Sequence, residues 1–427
     1  MVTVHTPVWA APTLLEVLDM ARANDPQLAA AQAARLAGQE ALPQARAALL
    51  PQVGLSATLN RTQREIETAV REQNLHYTNT TGALSLRQVI YDRQKFFTYD
   101  QAEIRVALAE LEWAKAEQDL ILRVAEAYFN MLFAEDSVKL AEAKKRAIAA
   151  QKSQAEQMYK GGVGTVTDIQ EAQARYDLAV AEELEALHTL RNRRQALFKL
   201  TRQHLEQLAT LREPLTLSPP DPYDLDAWRH AAREHALEVL LAEKRTQIAQ
   251  LDVERARSQH WPILELVSSV QRQTQTDLGY DKDQIALVGL QLSAPLWAGG
   301  RIDSLTRETR ARWVQAVEEM HVAQADSEQR AVESFHGVND SIARIHALQQ
   351  AVRSSEVAME AARIGLEVGY RTSVDVLNAQ QQFFAARRDL LQQSYTFVLQ
   401  RLRLKAAIGA LTTEDIVALD PWFEKNP

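Results

Sequence analysis

Along most of this chain apolar residues recur at helical spacing, and in two places the pattern switches to strict alternation. Residues 14–50 carry Leu14, Leu18, Ala21 and Leu28 on one side of a helix, with a kink expected at Asp25-Pro26 and a stop at Pro51. Val53, Leu55, Ala57 and Leu59 then alternate with Gly54, Ser56, Thr58 and Asn60. After a polar stretch from Glu65 to Tyr77, alternation resumes through Leu84, Leu86, Gln88 and Ile90. This predicts a hairpin over 52–91, two strands of roughly ten residues joined by a sizeable loop. From Gln94 to Lys160 there is neither Pro nor Gly, and Leu122, Ala125, Phe129 and Leu132 mark an apolar seam. At ~1.5 Å per residue such a helix runs about 100 Å. Glycines at 161, 162 and 164 end it, and a return helix is predicted from Thr165 to about Leu211.

The second half repeats this order. Pro214, Pro219, Pro220 and Pro222 mark a linker over 214–223, and a helix follows over about 224–260. Leu264, Leu266, Ser268 and Val270, a short loop from Asp277 to Asp283, and Val288, Leu290, Leu292 and Ala294 predict a second hairpin over 262–296. After Gly299-Gly300 a helix reaches about Leu366, and a turn over 365–372 leads to another helix. There the pairs Val376/Leu377, Phe383/Phe384, Leu390/Leu391 and Phe397/Val398 recur every seven residues, the signature of coiled-coil packing. Gly162, Thr165 and Asp168 recur as Gly369, Thr372 and Asp375, an offset of 207 residues. The chain therefore reads as two copies of one unit, 14–213 and 224–412, with a start at 1–13 and a tail at 413–427.

Composition supports long helices. Aromatics make up 6% of the 427 residues, and no proline lies between Pro51 and Pro214 or between Pro295 and Pro421. A net charge of −8 argues against a nucleic-acid partner. No run of 18 apolar residues is present, so no transmembrane helix is expected. The absence of cysteine excludes disulfides, thiolate catalysis and zinc–sulfur sites. Val8-Trp9-Ala10-Ala11-Pro12 reads either as the end of a shortened secretory signal or as a disordered start. Four strands of this length match the ~9–11 residues that cross an outer membrane when tilted. Four cannot close a barrel, so several subunits would have to pool them. Tyr91, Trp261 and Trp297 lie at the helical ends of the strands, where an interfacial girdle would stand; strand-end aromatics capping a soluble sandwich are the other reading.

The turns carry the clearest local chemistry. Gly162, Gly164 and Gly369 permit the positive φ that ends a helix. Thr165 and Thr372 suit an N-cap, with Asp168 and Asp375 three residues on as capping-box partners. No enzyme motif is present. The Gly162–Thr165 loop lacks a phosphate-holding Lys-Ser/Thr, and His230 and His235 are poorly spaced to share a metal. No cofactor and no metal site are expected.

Together these residues resemble the TolC family of bacterial outer-membrane ducts over about 14–412. The most specific matches are Val368-Gly369-Tyr370-Arg371-Thr372-Ser373-Val374-Asp375-Val376-Leu377-Asn378-Ala379, Leu402 to Leu411, Pro295-Leu296-Trp297-Ala298-Gly299-Gly300 and Ile90-Tyr91-Asp92-Arg93. The resemblance implies an α+β membrane protein and a homotrimer: a long α-helical coiled-coil barrel in the periplasm joined to a 12-stranded transmembrane β-barrel, four strands per protomer. It implies a passive exit duct for efflux or type I secretion, served by a periplasmic adaptor docking at the turns (Gly162, Gly164, Thr165, Gly369, Thr372) and by an inner-membrane pump of ABC or RND type. Asp375 matches an acidic ring at the pore constriction. Asn378 stands where the family commonly has a second one. Arg371 matches a residue that links to Thr167 and Asp168 to hold the entrance shut, and the tyrosine of a second link falls on Leu366. A soluble coiled-coil scaffold and a periplasmic adaptor are the rival readings; the paired hairpins disfavour the first and the lack of a compact β domain the second.

Overall fold

The computed structural model describes residues 11–68, 71–212, 214–276 and 283–424. Along the chain run α1 (Leu14–Asn24), α2 (Pro26–Gln39), α3 (Ala41–Ala47), β1 (Gln52–Thr68), β2 (Arg71–Tyr91), α4 (Arg93–Lys160), α5 (Val166–Thr201) and β3 (Thr210–Leu211). There follow α6 (Leu225–His235), α7 (Leu237–Arg257), β4 (Ile263–Thr276), β5 (Asp283–Ser293), α8 (Arg301–Glu367), α9 (Ser373–Ala407), α10 (Thr413–Leu419) and β6 (Phe423–Glu424). No described helix is long and apolar enough to cross a membrane.

Several expectations are corrected. The helix read over 14–50 is three helices, because Asp25 is extended before Pro26 and a turn intervenes at Glu40. The first hairpin has strands of 17 and 21 residues, with Thr68 paired to Arg71, not ten-residue strands around a sizeable loop. Its ladder is carried by backbone hydrogen bonds, so it continues where both faces turn polar and the hydropathy alternation vanishes. The return helix stops at Thr201 rather than Leu211: Arg202 adopts φ 56, and the Phe198 ring stacks on His204 at 4.4 Å. The helix of 224–260 breaks at Ala236 and ends at Arg257. The second turn begins after Glu367, and the tail folds into α10 and β6. Most of the loop expected over 277–283 and the start of the chain up to residue 10 lie outside the described residues.

Neither repeat is compact by itself. One unit takes the chain up to Ala33, Glu112–Leu240 and Val322 onwards; the other takes Ala34–Leu111 and Leu241–His321. The second unit holds an antiparallel sheet in the order β1-β2-β4-β5, leaving β1 and β5 as edges. Its helices pack tightly. A side chain at Gly38 would collide with Ala109 Cβ at 2.5 Å, and Gln101 Nε2 donates to Ile248 O and Asp252 Oδ1.

The first unit has the larger core. α1 starts at a Thr13–Glu16 capping box and buries Leu14, Val17, Leu18 and Ala21. Around Tyr128 and Phe129 of α4 the two ends and the middle of the chain meet. Tyr128 Oη lies 2.8 Å from Ala209 O and 3.2 Å from Pro12 O, Ala209 N donates to Pro12 O, and β3 pairs with β6. Nearby, burial pushes the Glu135 carboxyl up to about 7, against the pull of Arg194 and Lys139, and its Oε1 has no partner among the described residues. A raised carboxyl favours the fold below its unfolded value near 4.5 and withdraws that stability as pH rises through 7. Glu135→Gln should therefore stabilise the protein at pH 8 by on the order of 1–2 kcal/mol, after discounting for partial exposure, and make no difference near pH 4. Urea unfolding at the two pH values checks this; equal effects at both would refute it.

Candidate functional site

The two turns between long helices are built alike. In the first, Val163 N and Gly164 N both donate to Met158 O, with Gly162 at φ +79. In the second, Tyr370 N and Arg371 N both donate to Gly365 O, with Gly369 at φ +83. Every one of these positions is offset by 207, but the small residue has changed sides. At the first turn Gly164 is obligatory, since a Cβ there would sit 2.9 Å from Tyr159 N. At the second, Gly365 vacates the space and the stem of Arg371 fills it: a Cβ on Gly365 would lie 2.6 Å from Arg371 Cγ. That exchange is what lets one copy carry an arginine.

Both capping boxes form. Thr165 N and Oγ1 donate to Asp168 Oδ2 at 3.0 and 2.7 Å, and Asp168 N donates back to Thr165 Oγ1 at 3.2 Å. Thr372 N and Oγ1 donate to Asp375 Oδ2, both at 2.9 Å, and Asp375 N returns the bond at 3.2 Å. The Thr372 backbone and hydroxyl, and then the nearby Arg371 charge, hold the Asp375 carboxyl below its usual range. It therefore stays ionised through mild acid, and the cap weakens only as pH falls through that lowered value.

Arg371 is exposed and makes no side-chain hydrogen bond or ion pair with another described residue, so the chain alone does not bring it to Thr167 and Asp168. Leu366, in place of the family's tyrosine, is buried with Ala362 and Val376 against Met158 and Ala379. A different cation joins the two copies. Arg175 of α5 donates through Nη1 to Gln381 Oε1 at 2.7 Å and through Nη2 to Asn378 Oδ1 at 3.3 Å, with Glu171 at 3.8 Å. Beneath it Ala172, Tyr176 and Ala179 pack on Ile148 and Leu377, and Gln151 Nε2 donates to Ser373 Oγ at 3.2 Å. Sequence reasoning missed Arg175. The available signal was its position seven residues after Asp168, on the same helix face.

The sheet is two-faced. Register places Val53, Leu55, Ala57 and Leu59 of β1 on one face with Leu84 and Leu86 of β2. The same face carries Leu264, Leu266 and Val270 of β4 and Ala286, Val288, Leu290 and Leu292 of β5. Leu55 is 82% and Val288 75% exposed, so no described residue covers this face. Small polar residues dominate the opposite face, where Arg87 Nη1 meets Glu265 Oε2 at 3.0 Å. At the helical ends of the strands Tyr91 meets Phe96 edge-on at 6.1 Å and the Arg93 guanidinium lies over Trp261 at 4.8 Å. Trp297 is 87% exposed.

An uncovered aliphatic sheet face, aromatic at one end and leading into helices of 68 and 67 residues, defines a subunit of a β-barrel membrane channel. The family model for outer membrane efflux proteins matches residues 17–202 and 228–410, and the chain belongs to that family. The outer membrane protein TolC of Vibrio cholerae serotype O1 is 32% identical over 422 residues, spanning 97% of this chain and 94% of its own. The proteases secretion protein PrtF of Dickeya chrysanthemi is 29% identical over 425 residues, spanning 97% and 92%. Among solved structures, the outer membrane protein VceC of Vibrio cholerae superposes with a TM-score of 0.79 at 22% identity, over 93% of this chain and 96% of VceC.

Proposed function

We propose that three copies of this chain form an outer-membrane exit duct for efflux or type I secretion. The duct passively conducts substrates that an inner-membrane pump delivers through a periplasmic adaptor docking at the two helical turns. The observation that carries this is the slant of the apolar band. On β1 it ends at Leu59, opposite Thr80; on β5 it ends at Ala286, which through Val270 stands level with Leu84. The helical rim climbs the same way, from Val53 opposite Leu86 to Leu292, which through Leu264 stands level with Tyr91. Four residues are about 13 Å, over three inter-strand steps of about 4.8 Å, so a level membrane requires a strand tilt of roughly 40–45°, the tilt of closed barrels. The open edges β1 and β5 cannot rest in lipid and would pair between copies, closing twelve strands.

In the trimer Asp375 and Asn378 line the pore constriction, and Arg371 reaches Thr167 and Asp168 of the partner subunit. Tyr91, Trp261 and Trp297 form the periplasmic girdle. Catalysis has no part in the role, since the pump supplies the energy. The exposed apolar face argues against a soluble scaffold. Single-channel recording in planar bilayers tests the reading: wild type should give rare, low-conductance openings blocked by trivalent cations. Asp375→Asn should raise the blocking concentration by at least about tenfold, since each of the three copies loses its charge-assisted contact. A protein that forms no channels would remove the duct reading; unchanged block would remove Asp375 from the constriction.

A further inference from the structure

The two rims of the apolar band differ. The rim at the helical end is aromatic. At the far rim, the first side chain past the band on the same face is Arg61 on β1, Thr80 (beyond Gly82) on β2, Arg272 on β4 and Gln284 on β5. All four are hydrogen-bond donors and none is acidic. No described Trp, Tyr or Phe occupies this face beyond the band, where an aromatic belt would ordinarily stand. Both arginines are exposed and neither forms an ion pair with a described residue. Beside Arg272 the row runs Ala57, Gly82, Arg272, Gln284, and above Gly82 there is open space. The guanidinium thus flanks a notch rather than a neighbouring side chain. The slant that levels the band brings Arg61 and Arg272 to within about 5 Å of one height.

We infer that Arg61 and Arg272, with Thr80 and Gln284, form a binding rim for the phosphate groups of lipids in the outer leaflet. This rests on the outer-membrane reading above. At that height the band stops and headgroups begin. Arginine takes phosphate oxygens bidentately, and the notch at Gly82 admits the headgroup to the sheet. Lipid phosphate is the occupant favoured by charge and by continuity with the lipid-facing band.

The test reconstitutes the full-length channel in zwitterionic vesicles doped with lipid A, a phosphorylated glycolipid, or with its dephosphorylated form. Lipid retained after mild extraction is then counted by native mass spectrometry. Wild type should retain the phosphorylated form at least tenfold better. Each arginine near a charged membrane surface is worth about a fivefold change, so Arg61→Gln combined with Arg272→Gln should cut retention twenty- to thirtyfold. Arg64→Gln, on the opposite face, should leave it unchanged. Equal retention of the two lipids by wild type, or undiminished retention by the double variant, overturns the proposal. So does displacement by millimolar inorganic phosphate, which would assign the rim to free phosphate instead. Should the double variant not assemble, the two-lipid comparison on wild type decides alone. A wild type that inserts and conducts but ignores lipid phosphate refutes only the rim, whereas one that never inserts refutes the duct.

Discussion

Channels carrying Arg175→Ala should open more often than wild type by at least about five- to thirtyfold, the effect of releasing the tie in one of the three copies. Arg175 is the one side chain seen joining Asn378 and Gln381 of α9 to α5 within a single chain. Its hydrogen bonds are charge-assisted but partly exposed, at 31% for the arginine side chain, so a net contribution of about 1–2 kcal/mol per copy is the appropriate scale. That is enough to hold an entrance closed and small enough for a docking partner to overcome. Arg371→Ser provides the comparison. If the entrance is tied both within and between subunits, the two substitutions act on separate ties and their effects on open probability should multiply. An Arg175→Ala channel with wild-type open probability would show that this contact merely decorates the turn.

Phe129→Ala should destabilise the protein by about 3–5 kcal/mol, the usual loss for a large aromatic removed from a packed core. Phe129 is 1% exposed, and its ring lies 5.6 Å from Tyr128, 5.9 Å from Tyr395 and 6.2 Å from Phe423. The loss should appear as a lower urea midpoint, while folded channels keep wild-type conductance because the turns belong to other clusters. A shift below about 1 kcal/mol would mean that the site collapses around the vacancy, so that these rings are not the keystone of the unit.

Much of this was legible before any coordinates. The long stretch without Pro or Gly became α4, the long stretch without Pro became α8, and the capping boxes at Thr165 and Thr372 formed as their residue types required. What escaped has physical causes. Hydropathy marks where a strand meets lipid, not where its ladder ends, so the polar extension to Thr68 was hidden. The stop at Thr201 depends on a left-handed Arg202, a residue with no preference for that conformation. The two compact units draw on both repeats, because each helix packs on whatever the trace brings beside it rather than on its sequence neighbours. Arg175 was passed over because its partners are neutral amides, and a search guided by charge looks for carboxylates.

The meeting of Pro12, Ala209 and Phe423 at Tyr128 has a consequence for timing. β3 waits for a partner, β6, that lies more than two hundred residues later and almost at the end of the chain. During synthesis and export the sheet strands and long helices emerge well before this clasp can close. The first unit is thus held unfinished until β6 arrives, and a chain cut short before Phe423 should be cleared by proteases rather than built into the envelope as a leaking pore.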